Sequence, residues 1–176
     1  MKETTAKYKH DESERNTMLN SASDDNTRPT LTNVEAQLDA DTAIAAFVSE
    51  LQQGWDQHDA AISNRHFAAD VAWGSPYGAT VYGYDQLHAI HTRLKQQGTG
   101  GGASRYEIVR AFAVSDDVIV AHVARYSLNP EGRPIEPSSD TTGAFSEMAL
   151  YVLVRRDGTW WLAAGQNTPI RPGGAV

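Results

Sequence analysis

His122 and Tyr126 lie four residues apart in Val118 to Leu128, a run whose alternation predicts a strand, so both point to one face, about two pleats apart. On a concave face His122 would act as a proton donor and Tyr126 as an orienting hydroxyl toward a bound carbonyl or hydroxyl group. The plainer alternative is a histidine satisfied within a core or an interface. Glu147 interrupts the face carrying Phe145, Ala149, Tyr151 and Leu153. If that face is concave, burial favours the neutral carboxyl and makes Glu147 a candidate general acid or base. If it is convex, Glu147 is a solvated or interfacial group. The alternate face, Ser146, Met148, Leu150, Val152 and Val154, is the more continuous apolar surface and is expected to form the core side.

Binding candidates surround these three catalytic ones. His91 shares a helical face with Leu87, Ile90 and Leu94, and is expected to line a pocket or pack within a helix contact. His88 and His91, three apart, could share a metal with His122 or Glu147, but no metal-binding signature accompanies them and no metal is assigned. Trp55 and Trp73 offer large flat walls, each with one donor, for a pocket or for ordinary core packing. Gln166 and Asn167, at the end of the last strand, could bind ligand polar groups or cap the sheet edge. Asp70 is expected to cap or turn the chain.

The elements that must position these residues form an α+β pattern. From Asp39, the residues Ile44, Phe47, Val48, Leu51 and Trp55 recur at offsets of three and four, which predicts one long helix capped by Asp39 or Asp41. Asp59 is expected to cap a short second helix through Ile62, His66 and Phe67, and Asp85 a third that ends at the glycines from Gly98 to Gly102. Val71 to Gly74 is a short strand stopped by a turn at Ser75-Pro76-Tyr77-Gly78. Extended structure resumes briefly at Val81 to Gly83. Four strands then form an antiparallel meander. The first carries Tyr106, Ile108, Phe112 and Val114 on one face, with Arg110 breaking it. The second is Val118 to Leu128, the third Ala144 to Arg156 and the fourth Trp160 to Gln166, the last two joined at Arg156-Asp157-Gly158. Asn129 to Gly143, with three prolines, is expected to be a long mobile connection. A twisted sheet covered by amphipathic helices on one side leaves a cone-shaped space, suited to a small molecule.

Composition narrows the partners. With 15 basic against 22 acidic residues, a net charge of −7 and no basic cluster, neither nucleic acid nor an anionic membrane is an expected partner. The absence of cysteine removes disulfides and thiolate chemistry. Residues 1–33 are polar and would repay little of the roughly 1–2 kcal/mol per residue that ordering costs, so they are expected to be a disordered leader. A folded domain is expected over residues 34–170 and a flexible tail over 171–176. No stretch reads as a signal peptide or a membrane span, and a cytoplasmic protein is expected.

The order of these elements resembles the nuclear-transport-factor-2-like superfamily. The carrying residues are Gly54-Trp55, His58-Asp59, Phe67-Ala68-Ala69-Asp70, the strand and turn from Trp73 to Gly78, Gly83 before a helix, and Trp160 through Thr168. Within it the sequence is similar to the SnoaL-like group, especially SgcJ/EcaC-family proteins, over about Asp39 to Thr168. The resemblance implies a curved antiparallel sheet, of the cystatin-like kind, wrapped around a long helix. It also implies a cavity for a hydrophobic, oxygenated small molecule, and either an acid–base enzyme or accessory of secondary metabolism or a non-catalytic binding or homodimeric assembly module. The homodimer would form through the outer sheet face, with Trp160 or Trp161 in it. Related ketosteroid isomerases carry an aspartate before the proline of the first turn; Ser75 stands there, and a serine without a paired base does not do that proton transfer. No cofactor is expected: Gly98, Gly100, Gly101 and Gly102 follow a helix and do not link a strand to one, as a nucleotide-binding loop would.

Overall fold

A computed structural model describes residues 28–98, 102–139 and 144–173. The chain divides into two units, Met1–Thr30 and Leu31–Val176. Of the first, only residues 28–30 are described, so most of the expected leader lies outside the described residues. The second unit holds every helix and strand among the described residues: α1 (Gln37–Asp56), α2 (Ala60–Ser63), β1 (Phe67–Gly74), β2 (Thr80–Tyr82), α3 (Tyr84–Gln96), β3 (Ser104–Ser115), β4 (Val118–Ser127), β5 (Glu147–Arg156) and β6 (Thr159–Pro169). This is the expected α+β architecture, with a larger sheet than the meander alone.

Helix α1 forms where the apolar stripe predicts it. Ile44, Phe47, Val48 and Leu51 are buried together against the sheet. Its start differs from expectation. The N-cap is Ala36, and the Asn33 side chain one turn earlier accepts from the N–H groups of Glu35 and Ala36. Asp39 is drawn away to Arg155 at 2.7 Å and Asp41 to Gln37 at 2.7 Å, so neither carboxylate caps the helix. Asp59 does cap α2, accepting from the Ala61 N–H at 2.7 Å, a bond of a kind worth about 1 kcal/mol. That helix lasts one turn. Phe67 already begins β1, which places Asp70 in an exposed strand position and not at a helix end. Helix α3 is entered through Gly83 at φ +88°, and Asp85 lies within its first turn without capping it.

The sheet order is β2-β1-β6-β5-β4-β3. β1 runs parallel to β6; the other neighbours are antiparallel. Asp157 and Gly158, with φ of 51° and 76°, make the tight β5–β6 turn, and their left-handed backbone matches the twist of the strands they join. Irregularities in β1, β3 and β6 bend the strands and curl the sheet toward α1. In β3 the register shifts between Ile108 and Arg110, which reverses the parity of the strand: Tyr106 and Ala113 pack inward, while Ile108 and Val109 are exposed. The expected face of Tyr106, Ile108, Phe112 and Val114 is therefore split.

Strand β3 is an edge, and α1 closes it. The Gln37 amide donates to the Ala111 carbonyl at 3.3 Å and accepts from the Ala113 N–H at 3.1 Å. Gln52 does the same with the Ser104 carbonyl at 3.0 Å and the Tyr106 N–H at 2.8 Å. Each side-chain amide stands in for a missing strand neighbour, which leaves fewer free groups for edge-to-edge association. Among the described residues, no helix is long and apolar enough to cross a membrane.

Candidate functional site in the cone

The concave face is built from Ile119, Ala121, Val123 and Arg125 of β4 and from Glu147, Ala149, Tyr151 and Leu153 of β5. This is the reverse of the face expected from apolar continuity: Leu150 is 39% exposed on the outside, while Tyr151 is 4% exposed within. Both faces of β5 are apolar, so alternation alone leaves the choice to the tertiary packing of α1.

Between this face, the second half of α1 and α3 lies a cavity of about 800 Å³. Leu51, Phe67, Leu87, Ile90, Leu94 and Val123 supply much of its apolar wall. Trp73 lies in its wall, stacked on Phe67 (5.7 Å between centroids) and Tyr151 (6.2 Å), with His91 edge-on at 5.2 Å. Gly165 makes this possible. A Cβ there would come within 2.9 Å of the Trp73 ring and 3.1 Å of Tyr151, so the glycine lets both rings lie against the β6 backbone.

Polar groups reach the cavity from three sides. Arg125, 7% exposed, donates through Nε to Glu147 at 3.0 Å, through Nη1 to Ser104 and Ser127 at 3.2 Å each, and through Nη2 to the Phe145 carbonyl at 3.1 Å, and its Nη2 is ion-paired with Oε2 of Glu147 at 3.0 Å. Each guanidinium nitrogen thus has an acceptor, and the cation also lies 4.6 Å from the centre of the Trp55 ring. Arg125 is thus held at all three nitrogens, while Oε1 of Glu147 takes no hydrogen bond among the described residues. Lys95 donates to the Gly54 carbonyl at 2.7 Å and lies 5.4 Å from the centre of the same indole ring. Burial holds its ammonium below the usual lysine range, against the pull of Asp59 and Asp56.

Tyr106 and Tyr151 also line the cone. Burial pushes both phenols upward, with the Glu147 charge adding to this and Arg125 opposing it, so both remain protonated donors at neutral pH. His91 moves the other way. Burial, then the charges of Lys95 and His88, lower its pKa to about 4, and it lines the cavity as a neutral imidazole. Its Nδ1 lies 2.9 Å from Oδ1 of Asn64, a fully buried residue whose Nδ2 meets Nδ1 of His88 at 3.2 Å.

The sequence candidates divide accordingly. Trp55, Trp73, His91, Glu147 and Asn167 all line the cavity. His122 does not: it is exposed on the outward face, paired in register with Leu150 and Arg110. Tyr126 shares that outward parity and lies under the Arg105 guanidinium at 5.9 Å. The physical reason is strand parity, since burying Ala121, Val123 and Arg125 turns the alternate residues out. Gln166 is exposed; its amide lies across Gly74 and donates to the Asn167 carbonyl at 2.9 Å. Asn167 points the other way, and its Oδ1 is buried with no hydrogen-bond partner among the described residues. Ser75 lines the cavity, but its hydroxyl accepts from the Tyr77 and Ala79 N–H groups and so builds the turn. Among the described residues no group of three or more His, Asp or Glu side chains could hold a metal.

Sequence reasoning missed Asn64, Arg125, Tyr106 and Tyr151 as a group. Arg125 had a visible signal, a charge flanked by Val123 and Ser127 on an otherwise small, apolar strand face. Asn64 had none, since an asparagine after a short helix is an ordinary cap residue.

Neither a family model nor a curated protein sequence matches the chain. Solved structures do. A cystatin-like domain of unknown function from Nostoc punctiforme aligns with a TM-score of 0.64 at 17% identity, covering 75% of this chain and 78% of that one. A ketosteroid isomerase-like protein from Erwinia carotovora atroseptica aligns at 0.57 and 18% identity, covering 74% and 96%. A nuclear-transport-factor-2-like protein of unknown function from Pseudomonas putida aligns at 0.57 and 15% identity, covering 78% and 88%. The chain has the cystatin-like, nuclear-transport-factor-2-like fold. At these identities the likeness fixes the architecture of the cone and leaves its chemistry to the residues inside it.

Proposed function

We propose that the cone binds a hydrophobic, oxygen-bearing small molecule and acts on it by acid–base chemistry of the SnoaL-like, SgcJ/EcaC-like kind. The observation that carries this reading is a neutral imidazole and two protonated phenols on the wall of one apolar cavity. These are the groups a proton transfer next to a carbonyl needs. The carbonyl oxygen accepts a hydrogen bond from Tyr151 or Tyr106. His91 takes a proton from the adjacent carbon, the C–H electron pair moves into the carbonyl to form an enolate, and the phenol stabilises the oxyanion. The imidazolium then returns the proton. Glu147, held by Arg125, and Asn167 orient hydroxyl groups of the ligand through their free oxygens.

The test is a panel of neutral cyclic ketones added to the full chain and followed by amide and side-chain chemical shifts. Binding is expected to move Trp73, Tyr151 and His91 resonances and to leave His122 unmoved. Shifts confined to the outer face, or none across the panel, would sink the reading. Exchange of ligand α-hydrogens with deuterated water, lost in His91→Gln, would separate an enzyme from a binder.

A second reading, homodimerisation through the outer sheet face, is favoured by one observation. Tyr82, Ala72, Ala164, Val152, Val120 and Phe112 align in register across all six strands, an apolar row with Tyr82 70% exposed. A second copy of the chain laid on this row would cover Tyr82 and the half-buried side chains beside it. Light scattering is expected to give the mass of two chains at tens of micromolar, falling to one in Val152→Lys. A wild-type monomer at that concentration counts against the dimer and leaves the cavity reading untouched.

A further inference from the structure

We propose that Asn64 is a positioning residue that forces His88 and His91 into opposite tautomers and leaves Nε2 of His91 as a proton-accepting nitrogen in the cone. The role, though not the geometry, rests on the acid–base reading above. A carboxamide has one end that only accepts and one that only donates. With Oδ1 of Asn64 on Nδ1 of His91, that nitrogen carries the proton, so in the neutral ring Nε2 carries the lone pair. With Nδ2 of Asn64 on Nδ1 of His88, that nitrogen is the acceptor, so the His88 proton sits on Nε2. One buried amide therefore sets two rings in opposite senses.

The surroundings hold this arrangement. Asn64 is fully buried; its backbone N–H donates to the Ala60 carbonyl at 2.9 Å and its carbonyl accepts from the Phe67 N–H at 3.0 Å, which fixes the side chain's origin between α2 and β1. The His91 ring is bracketed edge-on by Trp73 at 5.2 Å and Phe67 at 6.2 Å, and His88 is stacked on Tyr84 at 5.2 Å. No hydrogen bond to Nε2 of His91 is present among the described residues.

The bond to Asn64 survives protonation of His91. His91 can take a proton on Nε2 and keep its bond to Asn64, because Nδ1–H donates in both states. A proton delivered by a ligand to Nε2 of His91 is thereby taken up with no rearrangement of the ring's support, as a preorganised base requires.

Long-range proton–nitrogen correlation spectra of the full chain at neutral pH test this, with the two rings assigned by His88→Gln and His91→Gln. His91 is expected to show a protonated Nδ1 and a bare Nε2, and His88 the reverse. Asn64→Asp, whose carboxylate only accepts, is expected to switch His88 to the Nδ1–H form and leave His91 as it was; a residue that merely fills space would move neither. A wild-type His91 protonated on Nε2 overturns the proposal, as does a His88 pattern unchanged in a folded Asn64→Asp. Should that variant fail to fold, the wild-type spectrum decides alone. The cyclic ketone panel added to the same sample separates this from the cavity reading. Binding in the cone with Nε2 protonated overturns the tautomer assignment only, and absence of binding across the panel with Nε2 bare overturns the small-molecule reading only.

Discussion

Replacing Glu147 with leucine is expected to lower the unfolding free energy by about 3–5 kcal/mol, the usual cost of leaving a buried charge without its partner. The Arg125 side chain is 8% exposed and that of Glu147 14%, so water offers little relief once the carboxylate is gone. Ser104, Ser127 and the Phe145 carbonyl would still accept from the guanidinium, but none of them carries a charge. The double variant Arg125→Met with Glu147→Leu removes both charges and fills the space with apolar atoms, and is expected to recover most of the loss. Urea unfolding at neutral pH measures all three forms. A single variant within about 1 kcal/mol of wild type would mean that the pair is solvated and that the β5 end of the cone is open to water. The pair thus ties stability to the site: the contacts that hold Arg125 also fix where Glu147 presents its free oxygen.

What could be seen in the residues beforehand depended on how local the cause was. The stripe from Ile44 to Leu51 names its own helix because a single period of 3.6 explains it. The Asp59 cap is likewise decided within three residues. The inward face of β5 was not legible, because Met148, Leu150 and Val152 are as apolar as Ala149, Tyr151 and Leu153, and only the tertiary position of α1 chooses between them. That one choice carried His122 and Tyr126 out of the site and Glu147 into it. Val109, the extra residue at the β3 register shift, leaves no compositional mark, yet it exchanges the two faces of that strand. The parallel joining of β1 to β6 pairs residues about ninety positions apart, beyond any periodicity. Gln37 and Gln52 look like ordinary polar positions on a helix; their role as surrogate strand neighbours exists only once β3 lies beside them. The cone follows from element order, which is legible. Its chemistry follows from which side of each strand is buried, and that is not.

Acid is expected to expose the state of His91. In the folded chain its pKa is about 4, against 6.5 for a solvated histidine. Between those values the unfolded chain binds a proton that the folded chain refuses, so stability rises with pH across that window. The contribution is fully present above about pH 7 and is lost as pH falls toward 4, by which point the loss amounts to about 3 kcal/mol. Carboxylates elsewhere also titrate, so the informative quantity is a difference between variants. His91→Gln keeps a side-chain donor for Oδ1 of Asn64 but cannot titrate. Its stability at pH 7 carries the ordinary cost of a changed contact, while its loss between pH 7 and pH 4 is expected to be about 3 kcal/mol smaller than that of wild type. Urea unfolding of both proteins at the two pH values measures the difference. Equal losses in the two proteins would show an imidazole that charges freely in the folded state, and with it a cone wet enough to solvate a cation. A base of this kind stays neutral through the physiological range and takes up a proton only when a ligand supplies one. Burial by Trp73 and Phe67, and the nearby Lys95 and His88, are what hold it there.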